Sequence, residues 1–153
     1  MSNSQVLITN AGLQELQAEL KDLQDTKRPT LVERLSIARS MGDLAENGDY
    51  ISAKEDLSFM DSRIDELEEL IQNAKVVTPN GNDTVDFGHT VTVKVKTGET
   101  SFRIVGEPEA NPSQRKISHS SPLGQALMGK KVGDQIDVDA PVGKISYTIV
   151  SIQ

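Results

Sequence analysis

Apolar and small residues recur at alternating spacings of three and four over residues 50–74. The positions are Tyr50, Ala53, Leu57, Met60, Ile64, Leu67, Ile71 and Ala74. This heptad pattern is typical of a helix whose narrow apolar stripe packs against one partner helix. Charged residues occupy the remaining faces. The pattern therefore predicts one long helix of a coiled coil.

The partner helix is predicted immediately upstream, where leucines recur with the same alternation. These positions are Leu13, Leu16, Leu20 and Leu23, and after an interruption Leu31, Leu35 and Ala38. Thr9 or Asn10 can cap the start of this helix. Because Pro29 falls where the apolar phase shifts, two interpretations stay open. The chain forms either one long helix with a bend or stutter near Pro29, or a new helix that begins there.

A short link that contains two glycines joins the two apolar stripes. Such a link between heptad helices indicates an antiparallel hairpin. Each arm of about 30 residues would be roughly 45 Å long, so the hairpin could reach into a partner. We therefore assign residues 1–77 to an antiparallel coiled-coil hairpin with its tip at 42–48.

The period changes from helical to two after turn-forming residues at 78–83. Alternating patterns predict strands near 91–95, 101–105, 136–138 and 145–149. Ser121 and Pro122 indicate the start of a short helix that Gly129 ends. Residues 83–153 are thus predicted to form a small, mostly antiparallel sheet packed by one helix. The fold class is α+β: a helical hairpin followed by a globular α+β domain.

Composition and charge exclude several classes of protein. Cysteine is absent, which excludes disulfides, zinc-thiolate sites and thiol nucleophiles. Residues 1–77 carry eight basic and fifteen acidic residues, whereas residues 78–153 carry eight of each. This distribution argues against a general binder of duplex DNA. Because no signal peptide or membrane-length apolar run is visible, we expect a soluble cytoplasmic protein.

Two acidic residues in the link, Asp43 and Glu46, form the candidate site. At a spacing of i, i+3 on a helical turn, their Cβ atoms would lie about 5–6 Å apart. Two carboxylates at the end of a hairpin make an incomplete ligand set for Mg²⁺, which other groups could complete. The same spacing is a capping box, with Asp43 as N-cap and Glu46 at N3. Spacing alone favours the cap, and the two roles are compatible.

Basic residues on the hairpin also allow two interpretations. Lys27, Arg28 and Arg34 could face RNA phosphates, but surface ion pairs within the coiled coil are the favoured interpretation. Arg39 lies about one turn before Asp43, and for this residue both interpretations stay open.

Two segments resemble one known family. Residues 38–50 read ARSMGDLAENGDY and resemble the tip signature of the bacterial Gre transcript-cleavage factors. Residues 121–130 read SPLGQALMGK and resemble a helical segment of the C-terminal domain in the same family. The resemblance extends from about Leu7 to Ile152, and both motifs occur in the family's order.

The resemblance implies a fold and a function. The C-terminal domain would be FKBP-like and would dock at the rim of the secondary channel of bacterial RNA polymerase. Asp43 and Glu46 would act as catalytic acids that help hold a Mg²⁺ shared with the polymerase. Arg39, Asn47 and Tyr50 match positions that support the tip and contact RNA.

The resemblance also implies which molecules take part in the reaction. The polymerase would cleave its own backtracked RNA near the 3′ end, so the factor itself would not be an enzyme. Its partners would be the polymerase and the nascent RNA 3′ end, with no membrane, and we expect a monomer.

A few residues of the tip differ from the family pattern and indicate which type of Gre factor the chain resembles. Gly48 stands where the family often has Ala, and Asp49 where it often has Glu. Leu44 and the sparse basic patch are more similar to the GreA type than to the GreB type. A Gre-like channel binder that inhibits the polymerase is an alternative function. A coiled-coil chaperone or adaptor is another, but it gives no reason for the tip motif.

Overall fold

The computed structural model describes residues 5–153, which divide into two compact units. One unit is Leu13–Asn73, and the other combines the chain up to Gly12 with Ala74–Gln153. This division differs from the predicted boundary at residue 77. Strands β1 (Val6–Ile8) and β2 (Ala74–Val76) pair in parallel, and both belong to the second unit.

Three helices build the hairpin: α1 (Asn10–Asp22), α2 (Arg28–Ser40) and α3 (Gly48–Gln72). All eight heptad positions of residues 50–74 are buried or half-buried, which confirms the predicted stripe. Ala53, Ile64 and Leu67 are its most buried members. Ala74 differs from the prediction, because it lies in β2 beyond the end of α3. The α+β fold class is likewise confirmed.

A π-helical segment, Leu23–Lys27, connects α1 to α2 without a break. The N–H of Arg28 donates to the carbonyl of Leu23, five residues back. Pro29 has no N–H to give the carbonyl of Asp25, four residues back, and its ring would crowd that carbonyl. Widening the helix by one residue per turn relieves this conflict and shifts the apolar phase. The stutter is therefore confirmed, and no new helix starts at Pro29.

Ion pairs link the arms of the hairpin. Arg28 Nε donates to Asp61 Oδ1 over 2.7 Å, and Arg34 bonds Asp49 at 2.8 Å and Asp56 at 3.2 Å. These contacts confirm the ion-pair interpretation of Arg28 and Arg34. The hydrogen bond from Arg28 holds the pKa of Asp61 below its ordinary value.

Acidification is expected to remove the small stabilisation that Asp61 provides. The pKa of Asp61 is lower in the folded than in the unfolded state. The stabilisation is therefore present above the ordinary Asp value of about 3.9 and is lost as pH falls through the lowered pKa. The fall in melting temperature that Asp61→Asn causes at pH 7 should become smaller at pH 2. An equal loss at both pH values would contradict this assignment.

The second unit contains a five-stranded sheet in the order β5-β4-β3-β7-β6. The strands are β3 (Thr90–Val95), β4 (Gly98–Val105), β5 (Lys116–Ser118), β6 (Gln135–Ala140) and β7 (Gly143–Ile152). Within this sheet of the described residues, β5 pairs in parallel with β4 and the other strands pair antiparallel. Strand β5 was not predicted. Helix α4 (Pro122–Leu127) is capped by Ser121, whose Oγ accepts from the N–H of Gly124 at 3.1 Å. The core contains Val91, Val93, Ile104, Leu127 and Ile149.

A carboxylate fastens the start of α1 within the second unit. Thr9 is the residue that caps α1, because its Oγ1 accepts from the N–H of Gly12 at 3.1 Å. Glu109 accepts from the N–H of Thr9 at 2.9 Å, from its hydroxyl, and from the N–H of Gly106 at 3.2 Å.

Among residues 5–153, no helix has both the length and the apolar character that a membrane span requires.

Candidate functional site at the hairpin tip

The backbone of the tip leaves α2 through two left-handed residues. Gly42 has a φ of +79° and donates its N–H to the carbonyl of Arg39 at 3.2 Å. Glycine adopts this conformation without the penalty that a Cβ brings, and commonly ends helices in this way. Asp43 has a φ of +48°, which a short polar side chain tolerates better than most. The chain therefore turns away from α2 before α3 begins.

Asp43 and Glu46 lie at the two ends of a single turn. The N–H of Glu46 donates to the carbonyl of Asp43 at 3.1 Å. A four-residue turn of this kind keeps its terminal Cα atoms within about 7 Å. Both residues are exposed, as are the apolar side chains of Met41 (75%) and Leu44 (41%). The tip thus exposes two carboxylates and two apolar side chains.

The capping-box interpretation of Asp43 and Glu46 is wrong. The N-cap of α3 is Asn47, which has an extended backbone and accepts from the N–H of Tyr50 at 3.1 Å. Asp43 lies four residues ahead of this cap and Glu46 one residue ahead. Neither carboxylate is therefore needed to start α3.

Asn47 also ties the two arms together. Its Nδ2 donates to the carbonyl of Ala38 in α2 at 2.7 Å and, more weakly, to that of Gly42 at 3.4 Å. One half-buried side chain thus satisfies a donor of α3 and an acceptor of α2. We call the hydrogen bonds that Asn47 Nδ2 donates to Ala38 and Gly42 the Asn47 clamp. The sequence pattern did not predict it.

Two substitutions separate the two contacts of Asn47. Asn47→Ala should lower the free energy of unfolding by about 1 kcal/mol or more, because it removes the cap together with the clamp. Asn47→Asp keeps the acceptor for Tyr50 but loses the donor for Ala38. Amide exchange at Tyr50 should therefore accelerate in Asn47→Ala and stay slow in Asn47→Asp. Equal protection in both variants would contradict the assigned cap.

A basic side chain borders the acidic turn. The guanidinium carbon of Arg39 lies 5.9 Å from the ring centroid of Tyr50, a cation–π distance. Arg39 is exposed, and among residues 5–153 it makes no ion pair. Its positive charge is therefore held beside the tip and can still contact an anion.

The donor set of the tip fits a partial site for Mg²⁺. No group of three or more His, Cys, Asp or Glu side chains in the described residues could hold a metal ion. Asp43 and Glu46 supply two hard oxygen ligands, and Mg²⁺ commonly takes one or two carboxylates together with water and phosphate oxygens. The nearby Asp49 is already paired with Arg34. The tip could therefore complete a site but not form one alone.

Fold and tip together define a class of protein: a factor that consists of a helical hairpin with a pair of exposed acids at its turn and a small α+β unit. Comparison with known proteins identifies the family. Residues 6–76 match the family model for the N-terminal part of transcription elongation factors, and residues 79–153 match the model for the GreA/GreB C-terminal part. The chain belongs to the GreA/GreB family of transcription elongation factors.

Individual relatives are similar over nearly the whole chain. The transcription elongation factor GreA of Bacillus subtilis is 45% identical over 148 residues, covering 95% of this chain and 94% of the relative. GreA of Clostridium acetobutylicum is 43% identical over 151 residues, covering 96% of each. Among solved structures, GreA factor homolog 1 of Thermus thermophilus is 27% identical, with a TM-score of 0.46 over 97% of this chain and 99% of that one.

Proposed function

We propose that this elongation factor inserts its hairpin into the secondary channel of bacterial RNA polymerase and stimulates the polymerase to cleave backtracked RNA. The observation that carries the proposal is the exposed turn from Asp43 to Glu46. Its two carboxylates take no part in starting α3, so they are free to act on a partner. The 41–45% identity to GreA proteins supports this type of factor.

The dimensions of the hairpin suit this role. Helix α3 contains 25 residues, which corresponds to a length of about 37 Å. Ion pairs link the arms, and Asn47 ties the end of α2 to the start of α3 next to the tip. A fixed tip loses less conformational freedom when it enters a partner's active centre.

Each tip residue would have its own role in the cleavage reaction. Asp43 and Glu46 would hold Mg²⁺ jointly with the polymerase and the RNA. A bound Mg²⁺ would lower the pKa of water and offset the negative charge that develops at the cleaved phosphodiester. Arg39 would contact an RNA phosphate, since its charge is held beside the turn by Tyr50. The polymerase would supply the rest of the site, so the factor by itself would not be an enzyme.

The proposed partners follow from this mechanism. They are the polymerase and the 3′ end of the nascent RNA, and the factor would act as a monomer in the cytoplasm. A monomer suits the mechanism because one tip would occupy one active centre.

A cleavage assay tests the proposal. Cognate polymerase is stalled in a backtracked complex on labelled RNA, and the protein is added with Mg²⁺. We expect faster release of short fragments from the 3′ end and renewed elongation of the shortened RNA. Slower RNA synthesis without faster cleavage would contradict stimulation and favour an inhibitory factor. The protein incubated with RNA alone should release nothing.

A further inference from the structure

Strand β3 ends before it reaches the first residues of β7, which leaves a cleft beside that part of β7. Their pairing stops at Lys94 opposite Thr148, although β7 extends back to Gly143 and pairs with β6 over that stretch. A cavity of about 420 Å³ lies in the gap. Its lining includes Val95, Lys96, Phe102, Lys144, Ile145 and Tyr147. We call this cavity the β3–β7 cleft.

One wall of the β3–β7 cleft is a free strand edge. Ile149 donates its N–H to Asp134 at 2.9 Å and accepts from Gly133 at 2.8 Å, so its backbone faces β6. Backbone groups alternate between the two edges along a strand. Ser146 and Lys144 therefore direct their N–H and C=O groups into the cleft, where the described residues place no strand opposite them.

The core-facing side of the β3–β7 cleft is apolar. The rings of Phe102 and Tyr147 meet edge to face with centroids 6.3 Å apart, and both are only partly buried. Val95 and Ile145 are also half-buried. Apolar groups of this size, left half-exposed beside a free strand edge, can contact the side chains of an added strand.

The charge at the β3–β7 cleft is positive. Lys96 and Lys144 both line it and are exposed. Neither makes an ion pair among residues 5–153. An added strand would place alternate side chains on the two faces of the sheet. Apolar side chains on one face would meet Ile145 and Tyr147, while acidic side chains on the other would lie near the lysines.

We propose that the β3–β7 cleft binds an extended peptide segment of a partner protein in which apolar and acidic residues alternate. The segment pairs with β7 as an additional strand, so backbone hydrogen bonds supply affinity and the side chains supply specificity. The volume of the cleft would also admit a small apolar acid. The free backbone edge favours the peptide, because a small acid would leave most of those groups unpaired.

The binding test uses the full-length protein labelled with ¹⁵N and an eight-residue blocked peptide of alternating Val and Glu. A peptide of alternating Val and Lys is the control. We expect saturable shifts of the Lys144 and Ser146 amide signals with the acidic peptide only. Equal binding of the basic peptide, or shifts confined to another surface, would overturn the proposal. Binding of phenylacetate without binding of the peptide would overturn it in favour of a small ligand.

Charge reversal tests the role of the lysines. The double substitution Lys96→Glu and Lys144→Glu should weaken binding of the acidic peptide about tenfold. The same charge change at Lys130 and Lys131, which do not line the cleft, should leave the affinity unchanged. Equal affinity in the two double variants would overturn the proposed charge recognition.

A proline tests the strand edge. Ser146→Pro removes an N–H that faces the cleft and not β6, so the ladder with β6 keeps its hydrogen bonds. Ser146→Ala keeps this N–H and loses only the hydroxyl, which donates to Asp137. Binding should be lost in Ser146→Pro and kept in Ser146→Ala. Equal binding by both variants, with melting temperatures confirming that both fold, would overturn the strand pairing. If Ser146→Pro does not fold, the lysine variants decide the outcome.

Discussion

Asp43→Asn and Glu46→Gln should each reduce factor-stimulated RNA cleavage by at least roughly 10- to 100-fold, because removing even a group that only orients a metal ligand costs that much. Each change removes a negative charge while nearly preserving the size of the side chain. Asn tolerates the left-handed backbone of Asp43 at least as well as Asp does, so the turn should persist. The measurement is the rate of fragment release from a backtracked polymerase complex.

Binding and stability should survive these two substitutions. Asn47 starts α3 without help from either carboxylate, so the melting temperatures should stay close to that of the wild type. Asp49→Asn is a matched control, because it neutralises a nearby acid that is paired with Arg34, and it should keep most of the activity. Full cleavage activity in Asp43→Asn and Glu46→Gln would refute the metal role. A parallel loss of polymerase affinity would show that the acids mainly dock the hairpin.

Gly106→Ala is expected to be the most destabilising of the substitutions considered. A Cβ at this position would lie 1.9 Å from the carbonyl oxygen of Leu7 and 2.9 Å from its carbon. Because these are backbone atoms of β1, the strand must move to relieve the clash. Overpacking of this kind costs about 3 kcal/mol, which corresponds to a fall of roughly 6–12 °C in melting temperature for a chain of this size.

Gly48→Ala provides the matched control for Gly106→Ala. A Cβ at Gly48 would have nothing within 4 Å, and this residue begins α3. The melting temperature should therefore stay the same or rise slightly, since Ala has the higher helix propensity. Thermal unfolding followed by circular dichroism measures both variants. An unchanged melting temperature in Gly106→Ala would contradict the close approach of β1 to Gly106.

The sequence predicted the long helices well because many apolar positions along each helix repeat the same spacing. Seven of the eight predicted positions, Tyr50 to Ile71, lie in α3 and form the same stripe. The shifted phase after Pro29 marks the π-helical segment. The exact start of α3 could not be predicted in the same way. Both Asp43 and Asn47 are good N-caps, and the choice depends on where α2 ends. Gly42 and Asp43 turn left-handed there, which inserts a further turn and moves the cap to Asn47.

Short strands were the main feature that pattern reading missed. Three residues cannot display a period of two, so β1, β2 and β5 left no usable signal. Pairing of β1 with β2 joins residues 68 positions apart and depends on the completed fold. These two strands explain why the second unit includes residues that the sequence assigned to the hairpin.

The candidate site was predictable in its chemistry but not in its geometry. Asp43 and Glu46 carry carboxylates, so the sequence alone identifies them as possible oxygen ligands whatever the backbone conformation. Only the structure showed that neither carboxylate caps α3, because it identifies Asn47 as the N-cap. The contact of Arg39 with Tyr50 likewise joins the two arms, so no local spacing could have indicated it.

The dependence of cleavage on Mg²⁺ tests the role of the tip acids most directly. The rate of RNA cleavage in backtracked complexes is measured against Mg²⁺ concentration without factor, with the wild type, and with Asp43→Asn or Glu46→Gln. We predict that the wild type lowers the Mg²⁺ concentration needed for half-maximal cleavage and that either variant restores the factor-free value. A half-maximal concentration that is the same with and without the wild-type factor would contradict metal binding by Asp43 and Glu46.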